Sequence, residues 1–140
     1  NQAPDVNDES VKNLAIEVSK KLILENATVN EKMLITKALT GTWEDVEKLK
    51  SGIGVANYLF GGFYNSLTAA YNQKINELFS TAFDSAFNAG GVRIENIRIN
   101  YVNNDILKSE CDADLVLGCM TYPITYSAQV TEDGGVYVYA

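Results

Sequence analysis

The chain has 140 residues, 46% hydrophobic and 21% charged, enough apolar material for one ordinary globular domain. Its net charge of −7 makes a phosphate backbone or an anionic membrane leaflet an unfavourable surface to meet, so no nucleic-acid partner is expected. The absence of histidine removes Ser-His and Cys-His catalysis together with the commonest metal ligand. No catalytic, cofactor-binding or metal-binding residue is nominated, and the chain reads as a non-enzyme.

The first residues, Asn1 to Glu9, are polar and acidic and lack an initiator methionine. They read as the start of a mature chain whose targeting segment has been removed, with residues 1–8 a flexible tether. Membrane attachment is expected only through a removed N-terminal lipid anchor. A first helix is predicted from Asp8 or Glu9 to Glu25, because Val11, Leu14, Ala15, Val18 and Leu22 recur on one helical stripe. Asp8 and Glu9 stand where negative charge favours a helix N-terminus.

Asn30 is the expected cap of a second, shorter helix carrying Met33, Leu34, Ala38 and Leu39 and stopped by Gly41. Thr42 caps a third piece, Trp43 to Lys50, which Ser51-Gly52-Ile53-Gly54 ends. The longest uncharged stretch, Ser51 to Gln73, approaches the ~20 residues needed to span a bilayer. Asn57, Asn65, Ser66, Thr68 and Asn72 interrupt it and Gly61-Gly62 breaks it, so a buried loop feeding a core helix is the better account. The other reading is an apolar docking loop presenting Tyr58, Phe60 and Phe63. A long helix follows from about Ser66 to Asn88, its main face Leu67, Tyr71, Ile75, Leu78, Ala82 and Phe83, widened by Phe79, Ala86 and Phe87. Gly90-Gly91 closes it.

From Val92 the apolar period changes from 3.6 to 2. Residues 92–102 alternate but slip phase at Glu95-Asn96, which a β-bulge explains. After a turn at Asn103-Asn104-Asp105, a second strand runs from about Ser109 to Leu117 with Cys111, Ala113, Leu115 and Leu117 on one face. Ile124, Tyr126, Ala128 and Val130 form the buried face of a third strand. Thr131-Glu132-Asp133-Gly134-Gly135 reads as a hairpin turn before the closing strand Val136-Tyr137-Val138-Tyr139. The expected fold is α+β, with N-terminal helices packed on one face of a C-terminal four-stranded antiparallel meander. It is read as a single domain over 1–140, helical over 9–89 and meandering over 92–140.

Cys111 and Cys119 stand eight positions apart. A straight strand would separate their Cα atoms by about 26 Å at ~3.3 Å per residue, against the roughly 4.4–6.8 Å that a disulfide spans. Either the alternation is a true strand, or residues 112–117 form a loop stapled at its base. An even cysteine count in an exported chain favours the bridge.

Asp112 and Asp114 share a strand face, a pattern usual for solvated carboxylates and rare for calcium. The glycine pairs lack the spacing of a phosphate loop. More informative are the tyrosines. If Val136 and Val138 face the core, Tyr137 and Tyr139 stand exposed beside Thr125, Ser127 and Gln129, as rings do at binding surfaces.

Three segments carry a resemblance. They are Val92-Arg93-Ile94-Glu95-Asn96-Ile97-Arg98 after a long helix, Cys111-Asp112-Ala113-Asp114-Leu115, and the hairpin from Pro123-Ile124-Thr125-Tyr126 through Gln129-Val130-Thr131 to Asp133-Gly134. The C-terminal third thereby resembles small uncharacterised envelope lipoproteins and periplasmic proteins of Gram-negative bacteria. The resemblance implies a periplasmic or cell-surface location and a non-catalytic role, and supplies no site residues. The expected function is protein binding in the bacterial envelope, as a secretion or conjugation accessory or as an immunity or inhibitor protein. The alternative is a carrier holding a small apolar ligand between the long helix and the sheet, lined by Phe79, Phe83, Phe87, Leu59 and Phe60.

Overall fold

Three helices precede four strands among the described residues, 2–41 and 64–140 of this computed structural model. They are α1 (Glu9–Asn26), α2 (Val29–Thr40), α3 (Tyr64–Asn88), β1 (Val92–Asn103), β2 (Lys108–Leu117), β3 (Met120–Val130) and β4 (Val136–Tyr139). The strands form one antiparallel sheet in the order β1-β2-β3-β4, the expected α+β meander. The expected helical piece at Trp43–Lys50 and the loop residues Tyr58, Leu59, Phe60 and Phe63 lie outside the described residues. The chain divides into two compact units, one of residues 2–26, 92–117 and 121–140, the other of 27–41, 64–91 and 118–120.

In the first unit, α1 lies against β1 and β4. Asp8 caps the helix, its Oδ1 accepting from the Ser10 N–H at 3.1 Å. Val11 and Ala15 of the expected stripe are buried, but the row continues through Ser19 and Ile23 instead of Leu14, Val18 and Leu22. Leu14 is 44% exposed and Leu22 36%. Steps of four residues turn the helix by 400°, so this row drifts about 40° per step, along the i±4n ridge that packs into a neighbouring groove. Hydrophobic identity alone does not reveal that drift.

The sheet's inner face takes Val92 and Ile94 from β1 and Cys111, Ala113 and Leu115 from β2. Tyr126 and Ala128 follow from β3, and Val138 from β4. Val136 departs from expectation and is 42% exposed, since it sits where β4 leaves the turn. β1 holds its register against β2 through two irregularities, between Glu95 and Arg98 and between Ile99 and Tyr101. The first is the expected bulge, and Asn96 at φ 54° supplies the left-handed residue that asparagine tolerates. The second was not visible in the alternation.

The N-terminal residues do not form a free tether. Val6 is fully buried and its carbonyl accepts a 2.7 Å hydrogen bond from the Tyr126 hydroxyl. Ser109 Oγ donates to the Pro4 carbonyl at 2.7 Å, and the Ala3 N–H donates to Asn104 Oδ1 at 2.9 Å. One valine and three hydrogen bonds strap a segment whose composition is otherwise that of a solvated tail.

Cys111 and Cys119 are both free, so the expected disulfide is not present. The physical reason is the strand. Residues 111–117 continue β2 without a break, and an extended run of that length cannot return one cysteine to the other. Cys111 is buried in the core and Cys119 is exposed in the two-residue turn.

In the second unit, α2 packs against α3. The cap of α2 is Thr28 rather than Asn30. Its hydroxyl accepts from the Glu31 N–H at 3.2 Å while the Glu31 carboxylate accepts from the Thr28 N–H at 3.2 Å. Thr-x-x-Glu satisfies two otherwise unpaired donors at once, which asparagine at position 30 cannot do. Ile75, Phe79 and Phe83 are the buried row of α3. Phe79 stacks on Phe83 with ring centroids 4.9 Å apart, and Phe83 meets Phe87 edge-on at 4.7 Å. Ile75 and Phe83 belong to the expected main face, and Phe79, expected only to widen it, lies at its centre. Each fully buried phenylalanine contributes up to about 3 kcal/mol. Tyr71 adds a hydroxyl contact to the Met33 sulfur at 3.1 Å. Gly118, at φ 60°, must be glycine because a Cβ there would lie 2.4 Å from the Ala38 carbonyl oxygen.

Two predictions follow from the inner face. Native protein should lose one thiol per chain to a small alkylating reagent, Cys119, with Cys111 reacting only in denaturant, as read by mass spectrometry. Burial pushes the Tyr126 hydroxyl far above its ordinary range, Cys111 adding to the effect, and burial also pushes up the Cys111 thiol. Groups raised in this way stabilise fully below their unfolded pKa values, about 8.5 for Cys and 10 for Tyr, and lose that contribution as pH rises. Wild-type stability should therefore fall above about pH 9, by up to about 1.4 kcal/mol per unit for each group. Tyr126→Phe should show a shallower alkaline slope and cost about 1–2 kcal/mol near neutrality, because the Val6 carbonyl loses its donor. Denaturant melts across pH test both.

Candidate functional site: the open face of the sheet

From Lys108 to Leu115 β2 alternates strictly. Ser109, Cys111, Ala113 and Leu115 are buried, while Lys108, Glu110, Asp112 and Asp114 stand on the other face and are only partly covered. Residues directly opposite one another in an antiparallel ladder share a face. On β1 this places Glu95, Arg98, Tyr101 and Asn103 on the open side, against Asp114, Asp112, Glu110 and Lys108. On β4 it places Tyr137 with Gln129 and Tyr139 with Ser127.

A polar lattice ties the strands together. Asp112 accepts from Thr125 Oγ1 at 2.9 Å through Oδ1 and from Asn100 Nδ2 at 3.2 Å through Oδ2, joining β3 and β1 across β2. Asp114 accepts from Asn96 Nδ2 at 3.1 Å and faces Arg98 at 4.0 Å. These contacts account for the Asp112–Asp114 pair as structural acceptors. Asp133 in the β3–β4 turn is similarly engaged, its carboxyl held below the usual range by the Thr131 hydroxyl and then by the Gly135 N–H.

At the other end of the face, Tyr137 and Tyr139 stack with centroids 5.5 Å apart and ring planes 29° from parallel. The Lys108 ammonium lies 5.3 Å from the Tyr139 ring centroid and 3.0 Å from Glu110 Oε1. Tyr139 first and Glu110 second hold the lysine above its ordinary pKa, so it stays charged at any physiological pH. Tyr137 keeps 58% of its surface exposed, whereas Tyr139 is half-buried beneath the lysine. Stacking fixes both rings in place, and a tyrosine has few rotatable bonds left to freeze on contact.

The sheet therefore brings together on this face all five residues that the sequence assigned to it, Tyr137, Tyr139, Thr125, Ser127 and Gln129. Ser127, opposite Tyr139, keeps only 6% of its surface and so is on the face without being open to solvent. The proposed loop anchors Tyr58, Phe60 and Phe63 lie outside the described residues. Tyr101 was missed. One bulge alone would turn it inward, and the second irregularity turns it out beside Glu110, where it is 40% exposed and accepts from Asn103 Nδ2 at 3.0 Å. The doubled asparagines of this strand, Asn96 and Asn100, were the available signal of two extra residues.

The class defined here is an α+β protein whose antiparallel meander carries one helix on its inner face and leaves an aromatic, charge-bearing outer face. No protein-family model, curated protein or solved structure matches the chain. Among the described residues no helix is long and apolar enough to cross a membrane.

Proposed function

We propose that this protein is a non-enzymatic, exported binding module of the bacterial envelope that engages a protein partner through the open face of its sheet. The observation that carries the reading is the Tyr137–Tyr139 stack with Lys108 against it. Rigid aromatic rings with a polar tip are the side chains that dominate binding energy at protein interfaces. Tyr101 and the Asp112 lattice extend the same face with groups that hydrogen-bond and confer specificity.

The complementary partner surface is one with an apolar slot for Tyr137 and basic groups for Glu95, Glu110 and Asp114. The overall charge of −7 supports attraction to such a basic partner at long range. An immunity or inhibitor protein against a basic envelope toxin fits that chemistry, as does an accessory of a secretion or conjugation apparatus. The envelope location rests on the resemblance of the C-terminal hairpin to envelope lipoproteins.

The test is capture from envelope extract by the wild-type chain and by a Tyr137→Ser/Tyr139→Ser double variant, with the partner's affinity then measured on purified protein. The double variant should keep its circular dichroism and thermal midpoint. Its affinity should fall about 30-fold or more, as expected for loss of interface anchors. A partner bound equally well by both proteins would remove the sheet face from the proposal.

A further inference from the structure

The first unit holds a cleft of about 320 Å³ beside the C-terminal half of α1, lined by Ser19, Leu22 and Ile23 of the helix and by Tyr122, Pro123 and Ile124 of β3. Aliphatic and ring carbon dominate its wall, and no lining side chain carries a charge. This is the usual make-up of a small-molecule site: an apolar wall, a volume above about 300 Å³ and a few polar groups that orient the occupant.

The polar groups are not equivalent. Asn26 at the rim donates to the Leu22 carbonyl at 3.0 Å, Thr125 donates to Asp112, and Tyr122 also has its own interaction. Ser19 differs. It is 2% exposed, and among the described residues its Oγ is the buried side-chain oxygen with no hydrogen-bond partner. A helical serine can bond back to the carbonyl four residues earlier, and this one does not. An orphaned hydroxyl in the buried row of α1 is destabilising to the protein by itself. Alanine, already used at position 15 of the same row, would avoid that cost.

We infer that this cleft binds a small, uncharged, mainly aliphatic molecule bearing one oxygen, which hydrogen-bonds to Ser19. The absence of a lining cation selects against a carboxylate, whose burial without a counter-charge is unfavourable. At roughly 30 Å³ for each water-sized group, the space suits about ten heavy atoms. A straight-chain alcohol of about that size meets both requirements. The cleft shares Thr125 with the open sheet face, but Ser19, Leu22 and Ile23 of α1 have no part in that face, so variants at those positions test the cleft apart from the protein-binding reading.

1-Nonanol is the probe, titrated into the full chain while the methyl resonances of Leu22, Ile23 and Ile124 are followed. Saturable shifts confined to these methyls are expected. Ser19→Ala should bind roughly fivefold more weakly, the loss of one hydrogen bond, while its own thermal midpoint rises. Leu22→Trp, at a partly exposed position, should fill the cleft and abolish the shifts without unfolding the protein. Nonanoate should not bind. Shifts that never saturate, equal affinity in wild type and Ser19→Ala, or nonanoate binding as tightly as the alcohol would each overturn the inference.

Discussion

The two-sided alternation of β2 is the constraint from which the remaining structure is built. Its inward set of Cys111, Ala113 and Leu115 is fully buried, and its outward set of Lys108, Glu110, Asp112 and Asp114 meets solvent. A register slip of one residue would exchange the sets, burying four charges and exposing the core, so the pairing has one acceptable solution. Both neighbouring strands take their faces from it. Asp112 then reinforces the choice from the outside by accepting from β1 and β3 together. The same alternation that packs the core therefore also lays out the candidate binding face.

A second consequence concerns the chain's beginning. Tyr126 belongs to the inner face, yet its hydroxyl needs a partner in a setting with little water, and the Val6 carbonyl provides it. Burial of Val6 and the Ser109–Pro4 hydrogen bond extend the arrangement. The polar opening residues are thus integrated with the sheet through three strand or turn positions more than 100 residues away in sequence. Such long-range closures form late, because the intervening chain must be ordered before they gain anything.

Much of this architecture was legible in the sequence, and the parts that were not share a cause. α1, the long helix and the four strands were readable because their apolar periodicities are strong and local. The buried row of α1 was misread because packing direction, set by the sheet, chose Ser19 and Ile23 over Leu14 and Leu22. The Thr28-x-x-Glu31 box that caps α2 is present in the sequence, where Asn30 is an equally acceptable cap type. The strapping of Val6 depends on contacts between distant segments, which no local pattern encodes, whereas the free thiols follow from the Cys111-to-Leu117 alternation that the even cysteine count competed with. At the site, Tyr137 and Tyr139 were legible from simple alternation, while Tyr101 required knowing that β1 contains two irregularities rather than one.

Those irregularities have a bearing on how the molecule behaves in a crowded compartment. β1 is a twelve-residue edge strand carrying exposed Ile99 and Val102, the kind of border along which proteins polymerise. Two extra residues break the even spacing of its outward amides and carbonyls, and the Arg93–Glu95 pair and Arg98 crowd the same border with charge. The opposite border, β4, is four residues long. Neither border therefore offers a long, evenly spaced template for an incoming strand.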